Sequence, residues 1–165
     1  TGSGKRDVAQ ALERHLFDAG RACAVLDGPK MRLGVSKDLG FTPEGRSENI
    51  RRAAECARIL NDVGLITIAS FLAPRKEVRN RAREVVGSER FFEVFLDVPV
   101  EVCRERDTNG MYAMADSGEI MNFPGITTAY EEPVSADLTL EPHSVPIESC
   151  VEAIMALLRE RDIVD

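Results

Sequence analysis

Residues 1–20 read TGSGKRDVAQALERHLFDAG, and the first five decide how the rest is understood. Gly2, Ser3, Gly4 and Lys5 match the end of a phosphate-binding loop of the form G-x-x-x-x-G-K-[ST]. In such a loop backbone N–H groups converge on phosphates, and the lysine reaches the terminal ones. Val8, Ala11, Leu12, Leu16 and Ala19 then share one helical face, and Gly20 supplies a stop. A glycine turn feeding a helix N-terminus favours anions, because unpaired amides and the helix dipole both point at the turn. Two features are unusual. The residue after Lys5 is Arg6, where a hydroxyl normally meets Mg²⁺, and Asp7 follows it. A loop of this kind also hangs from the end of a strand, and neither that strand nor the loop's first glycine stands ahead of Thr1. The expectation is a segment of a longer polypeptide with its first strand upstream.

Working outward, ACAVLDG (22–28) reads as a buried strand ending in a turn. A helix is predicted from Thr42-Pro43 to a stop at Gly64, with Ile50, Ala53, Ala54, Ala57 and Leu60 on its apolar side. LITIASF (65–71) is a short apolar strand, residues 75–86 a charged helix, and FFEVFLDV (91–98) a third strand. Another helix begins at Pro99. DLTLE (137–141) is a final strand, and Pro146 starts a helix carrying Ile147, Val151, Ile154 and Leu158. Strands alternating with helices predict an α/β fold with a parallel sheet covered on both faces. Residues 107–136 lack clean periodicity, and a stretch that long in a compact domain reads as a functional lid. The motifs fall at the predicted C-terminal strand ends, where ligands of such sheets bind.

The 165 residues fit one domain, 1–165, with a full core. A net charge of −7 argues against a nucleic-acid polymer as partner while leaving room for a local anion site. No apolar run is long enough for a bilayer span, so no membrane partner is expected. Cys23, Cys56, Cys103 and Cys150 lie far apart without metal-ligand spacing, which reads as reduced thiols in a cytoplasmic protein. His15 and His143 have no catalytic or metal partner nearby in sequence and read as structural or surface residues. No protein-held metal site is expected.

LDGPKMRLGVSKDLGFTPEGRSENIRR, FLAPRKEVR, FLDVPVEVCRERDTNGMY and IMNFPGITTAYEEP occur in that order. Together with the opening loop they resemble the adenylylsulfate (APS) kinase family, which makes PAPS from APS and ATP in sulfate activation. The most specific stretches are DLGF spaced before ENIRR, and VCRERD followed by a lid ending in F-x-G-I. The resemblance implies a P-loop NTPase-like fold. It implies ATP phosphates on Gly2, Ser3, Gly4 and Lys5, with Arg106 near the ATP adenine and Lys5 and Asp27 as catalytic groups. APS would contact Arg32, Arg46 and Asn49 through its phosphosulfate and ribose. Its adenine would lie between Phe41 and Phe123, and the Leu72-Ala73-Pro74 turn would give backbone contacts. Arg51 reads as a solvated helix face. The resemblance also implies Mg²⁺ as cofactor, a homo-oligomer, and fusion to ATP sulfurylase.

Four departures share one target. Arg6 and Asp7 replace Ser-Thr after the lysine; Pro29 replaces the second carboxylate of D-G-D; Ala113, Met114, Asp116 and Met121 occupy lid positions that are often basic; and Thr127 replaces the aspartate of F-T-G-I-D. All bear on the ATP phosphates and their Mg²⁺, while the APS side stays intact. The expectation is weakened phosphoryl transfer, with a non-catalytic APS/PAPS-binding domain as the alternative. Arg6 is either a surface residue or a guanidinium in the Mg²⁺ position pairing with Asp27.

Overall fold

The computed structural model describes residues 1–165. Helix α1 (Lys5–Asp18) leads to β1 (Cys23–Asp27), α2 (Gly28–Leu33), α3 (Pro43–Asp62) and β2 (Ile66–Ser70). Helix α4 (Lys76–Val86), a 3-10 turn (Ser88–Arg90), β3 (Val94–Leu96), α5 (Val100–Glu105) and α6 (Met111–Asp116) follow, then β4 (Leu138–Leu140) and α7 (Ile147–Glu160). The punctuation behaves as its chemistry requires. Thr42 caps α3, its hydroxyl accepting the Gly45 amide at 3.1 Å, with Pro43 in the first turn. Gly20 and Gly64 follow α1 and α3 at φ +73° and +87°, a left-handed backbone that glycine adopts without strain.

All four strands pair in parallel, in two ladders. β1 runs beside β2 from Cys23↔Ile66 to Asp27↔Ser70, and β3 beside β4 from Val94↔Leu138 to Leu96↔Leu140. No hydrogen-bonded pair joins the two ladders. They share one cover nonetheless. Val8, Leu12 and Leu16 of α1 and Cys150, Val151, Ile154, Met155 and Leu158 of α7 form a buried cluster. Cys23, Ile66 and Ile68 pack on it from one ladder, and Val94, Leu96 and Leu138 from the other. On the opposite face Thr67 turns to α3, its hydroxyl bonded to the Asn61 side-chain amide at 2.9 Å. Ile50 and Ala54 of α3 pack on Ala82 of α4. The fold is therefore α/β, with parallel strands between helical layers.

The expected elements change in three places. The strand expected over 91–98 pairs only at Val94–Leu96, because the Glu93 amide is taken by the Asp137 carboxylate at 2.7 Å instead of a ladder carbonyl. Two six-residue helices, α2 and α6, stand where a turn and an irregular lid were expected. Fewer than two helical turns show no period in sequence. The Asp27 carboxylate caps α2, and Gly110 at φ +67° opens α6. No helix is long and apolar enough to cross a membrane, and all four cysteines are free.

Leu16 is fully buried between α1 and α7, whereas its neighbour Phe17 is 73% exposed. Leu16→Ala should cost about 3 kcal/mol, the transfer loss plus the cavity left behind. Phe17→Ala should stay within about 0.5 kcal/mol. Chemical denaturation of both variants reads the difference, and equal costs would displace the α1–α7 contact from the centre of the core.

Candidate functional site

The register of β1 against β2 ends both strands together, with Asp27 opposite Ser70. Both residues are buried. Asp27 Oδ1 accepts the Lys30 amide at 2.7 Å, which starts α2 and turns the chain over the strand ends. Above them lies a cavity of about 180 Å³, with Lys5, Arg32, Phe41, Arg46, Asn49 and Phe123 on its wall. Gly28, Pro29, Ser70, Phe71, Leu72 and Met111 complete much of the rest. The wall carries three cations and no carboxylate.

The two arginines are held by backbone oxygens. Arg32 donates to the Gly40 carbonyl at 3.2 Å and lies 4.4 Å over the Phe41 ring. Arg46 donates to the Phe41 carbonyl at 3.0 Å and to the lid's Asn122 carbonyl at 3.2 Å. Burial lowers the pKa of Lys5, and the neighbouring Arg6 lowers it further. Burial also lowers that of Arg46, with Arg32 adding to it, and burial alone lowers that of Arg32. In each case burial is the leading cause, since desolvation disfavours the charged form, and a neighbouring anion would offset it. Two buried polar atoms here have no partner, Arg32 Nε and Asn49 Oδ1, and Asn49 is 2% exposed. Unpaired buried polar groups cost free energy, so a wall that retains them is built for a polar ligand.

Most of the sequence-derived positions converge, and some do not. Leu72 and Pro29 join the six on the wall, while Asp27 and Ala73 are not on it, Ala73 packing against the Ile50–Ala54–Ala82 cluster. Gly2, Ser3 and Gly4 form the loop ahead of α1, and an Arg106 nitrogen lies 3.9 Å from the point a Gly4 Cβ would occupy. The suggested Arg6–Asp27 pair does not form. Arg6 is exposed and has no ion-pair partner, and one Asp27 oxygen is committed to the Lys30 amide. The two phenylalanines also differ. Phe41 is 63% exposed, whereas Phe123 is 2% exposed and meets the Tyr112 ring edge-on at 4.9 Å. Ala113 and Met121 are exposed, and Asp116 pairs with Arg104 at 2.6 Å. Thr127 has an internal role, accepting the Phe123 amide at 2.8 Å and donating to the Met121 carbonyl at 2.9 Å. Arg51 pairs with Glu48 and Glu55 on the α3 surface. Sequence reading missed Ser70 and Met111 as wall residues; the position of Ser70 at a strand end was the one available signal.

The lid seats on the loop. Tyr112 donates its hydroxyl to the Thr1 carbonyl at 2.9 Å, and burial, reinforced by Cys103, pushes that hydroxyl's pKa up to about 12. A nucleotide-borne Mg²⁺ takes phosphate and water oxygens with one or two carboxylates. The Asp27 carboxylate and Ser70 hydroxyl fit that role, with Asp27 as the one acid. No group of three or more His, Cys, Asp or Glu could hold a metal by protein alone.

Comparison with known proteins agrees with this geometry. Residues 1–141 match the family Adenylylsulphate kinase. The chain is 48% identical over 159 residues to the bifunctional enzyme CysN/CysC of Rhodopirellula baltica, covering 96% of this chain but 25% of that protein. It is 45% identical to an adenylyl-sulfate kinase of Clostridium acetobutylicum, covering 99% of this chain and 81% of that one. The fold matches the Mycobacterium tuberculosis APS kinase CysC, solved with AMPPNP and APS, at a TM-score of 0.87 and 40% identity, covering 96% of this chain and 92% of that one.

Gly2 has φ +79°, and a Cβ there would sit 2.6 Å from the Cys103 carbonyl oxygen. Gly2→Ala should therefore destabilise the fold by roughly 1–3 kcal/mol through backbone strain. Thermal unfolding checks it, and an unchanged midpoint would mean the loop relaxes freely.

Proposed function

The chain belongs to the adenylylsulfate kinase family, and from that premise we propose that it transfers the γ-phosphate of ATP to the 3′-hydroxyl of APS, giving ADP and PAPS. The observation that carries this reading is the acid-free wall on which Lys5, Arg32 and Arg46 converge at the strand ends. Phosphoryl transfer is mainly positioning and charge neutralisation, so fixed cations around the transferring group are its central requirement. Gly2, Ser3 and Gly4 cradle the ATP phosphates through backbone amides, Lys5 neutralises the transferring phosphoryl group, and Arg106 flanks the ATP adenine. Arg32, Arg46 and Asn49 take the APS phosphosulfate and ribose; guanidinium forks suit such oxyanions. Phe41 offers a ring face to the APS purine, with Phe123 supporting the lid side, and Leu72 and Ala73 give backbone contacts. Asp27 lies off this wall with one uncommitted carboxylate oxygen, which serves either the acceptor hydroxyl or Mg²⁺. Mg²⁺, when bound with ATP, neutralises phosphate charge, and Asp27 and Ser70 are the groups that would hold it.

The same reading makes phosphoryl transfer slow. No hydroxyl follows Lys5, Pro29 stands in α2 where a second carboxylate would be, and Ala113, Met114 and Met121 give the lid no charge. Each lost charge contact at a transition state costs roughly 10²–10³ in rate. The relatives named as kinases support a catalytic reading over binding alone. We further propose that the domain works in the cytoplasm as part of a homo-oligomer and a longer polypeptide containing ATP sulfurylase, with a bifunctional relative as precedent.

Calorimetry and a coupled ADP-release assay with APS and MgATP test the function. Arg46→Ala should weaken APS binding by about 1.5–3 kcal/mol, the range for a lost charged hydrogen bond. An unchanged affinity would remove Arg46 from the site.

Arg6→Ser with Pro29→Asp should raise Mg²⁺-dependent PAPS formation, and neither change alone should suffice, because groups acting as one unit are not additive. Wild-type turnover at ~1–100 s⁻¹, ordinary for kinases, would refute the impaired metal site.

A further inference from the structure

Two residues outside the cavity converge on one piece of its wall. The chain between β2 and α4, residues 71–75, has no regular structure, yet Phe71 and Leu72 of this turn line the cavity. Its backbone groups need partners from elsewhere. The Ala73 carbonyl accepts Arg79 Nη1 at 2.8 Å. The Pro74 carbonyl accepts the Glu131 amide at 2.7 Å. The Glu131 carboxylate accepts the Lys76 amide at 2.6 Å, so it caps α4, which has no side-chain cap of its own.

The supports of both residues run away from the site. Arg79 is 8% exposed and pairs with Glu93 at 2.7 Å. The Glu93 amide is held by Asp137, whose carboxylate also takes Arg83 at 2.9 Å. Glu93 and Asp137 immediately precede β3 and β4, so this chain of charges fixes the turn of the first ladder to the feet of the second. Glu131 closes the lid segment, and the ring of the preceding Tyr130 stacks on Phe95 of β3 at 6.4 Å. A buried ion pair adds little net stability over an apolar replacement, so its use at a turn carbonyl reads as placement.

Resting on the kinase reading above, we propose that Arg79 and Glu131 are positioning residues for the acceptor nucleotide. They hold the Leu72–Pro74 turn from two sides, and Glu131 ties the exit of the lid to that same turn. Neither touches the cavity, and their effect is confined to the APS side, because the phosphate loop lies on α1.

The test uses the full-length protein with Glu131→Ala, Glu131→Gln and Arg79→Lys. Lysine keeps the charge opposite Glu93 but lacks the fork that reaches both Glu93 and the Ala73 carbonyl. Glu131→Ala and Arg79→Lys should raise the KM for APS roughly tenfold, a loss of about 1.4 kcal/mol. The kcat and the KM for MgATP should stay at wild-type values. Glu131→Gln should behave as wild type, since its amide oxygen still accepts the Lys76 N–H. In nucleotide-free protein, amide exchange over residues 71–77 should quicken in Glu131→Ala. A parallel rise in both KM values, or an unchanged KM for APS, would overturn the positioning role. Unchanged exchange would overturn the clamp whatever binds. A wild type that binds no APS would instead refute the proposed function, and with it the acceptor role, while the exchange experiment still reads the clamp. Should Arg79→Lys fail to fold, the two Glu131 variants decide alone.

Discussion

The parallel register of β1 on β2 is the constraint from which the site follows. Ending Asp27 and Ser70 side by side forces the next residues of both segments, Gly28 and Phe71, to rise from one edge. Asp27 then spends one carboxylate oxygen on starting α2, which swings Arg32 above the strand ends. Helix α3 packs on the same strands and delivers Arg46 and Asn49 from its first two turns. A shift of one residue would turn every strand side chain to the opposite face and scatter these groups.

Gathering cations at one place has a cost that the structure distributes. Arg32 and Arg46 are mutually repulsive and partly desolvated, and carbonyls of Gly40, Phe41 and Asn122 supply the negative ends of dipoles in place of full charges. A dipole neutralises less than a carboxylate does, which leaves the site a net attraction for anions. On the outer face of α3 the arrangement reverses. Hydrogen bonds from Arg51 and Arg52 pull the Glu48 pKa down to about 2, and Arg52 also pairs with Asp38 at 2.6 Å. Those pairs fasten the loop leading to Phe41, so the surface charges of α3 serve the geometry of its inner face. Gly45 helps in the same way, since a Cβ there would sit 2.8 Å from the Gly40 carbonyl oxygen.

The lid combines two kinds of attachment. At its entrance the contact with the loop is aromatic and buried, with Tyr112 between Phe123 and the Thr1 carbonyl. At its exit the contact is polar, through Glu131 and the start of α4. Between them Ala113 and Met121 stay exposed, while Ala115 is buried with Tyr112 and Phe123.

The sequence alone determined the alternation of strands and helices, the helix starts at Gly4 and Thr42, and the family. Those signals are local: a glycine turn, a capping threonine, a run of apolar residues at helical spacing. Seven of the residues nominated for nucleotide contacts, from Lys5 to Phe123, share one cavity because motif residues cluster at strand ends in a parallel fold. Other features were decided only by packing across the chain. The short helices α2 and α6 carry too few residues to show a period. Whether Arg6 meets Asp27 was also left to the fold, which exposes Arg6 and gives an Asp27 oxygen to the Lys30 amide. Phe41 and Phe123 look alike in sequence, yet one is a surface ring under Arg32 and the other a core ring against Tyr112, since burial depends on the element that arrives opposite. Arg79, Glu93 and Glu131 read as ordinary charges in a charged chain. Only the fold brings them to two carbonyls and an amide at a single turn, because hydrogen-bond partners 55 residues apart leave no trace in local spacing.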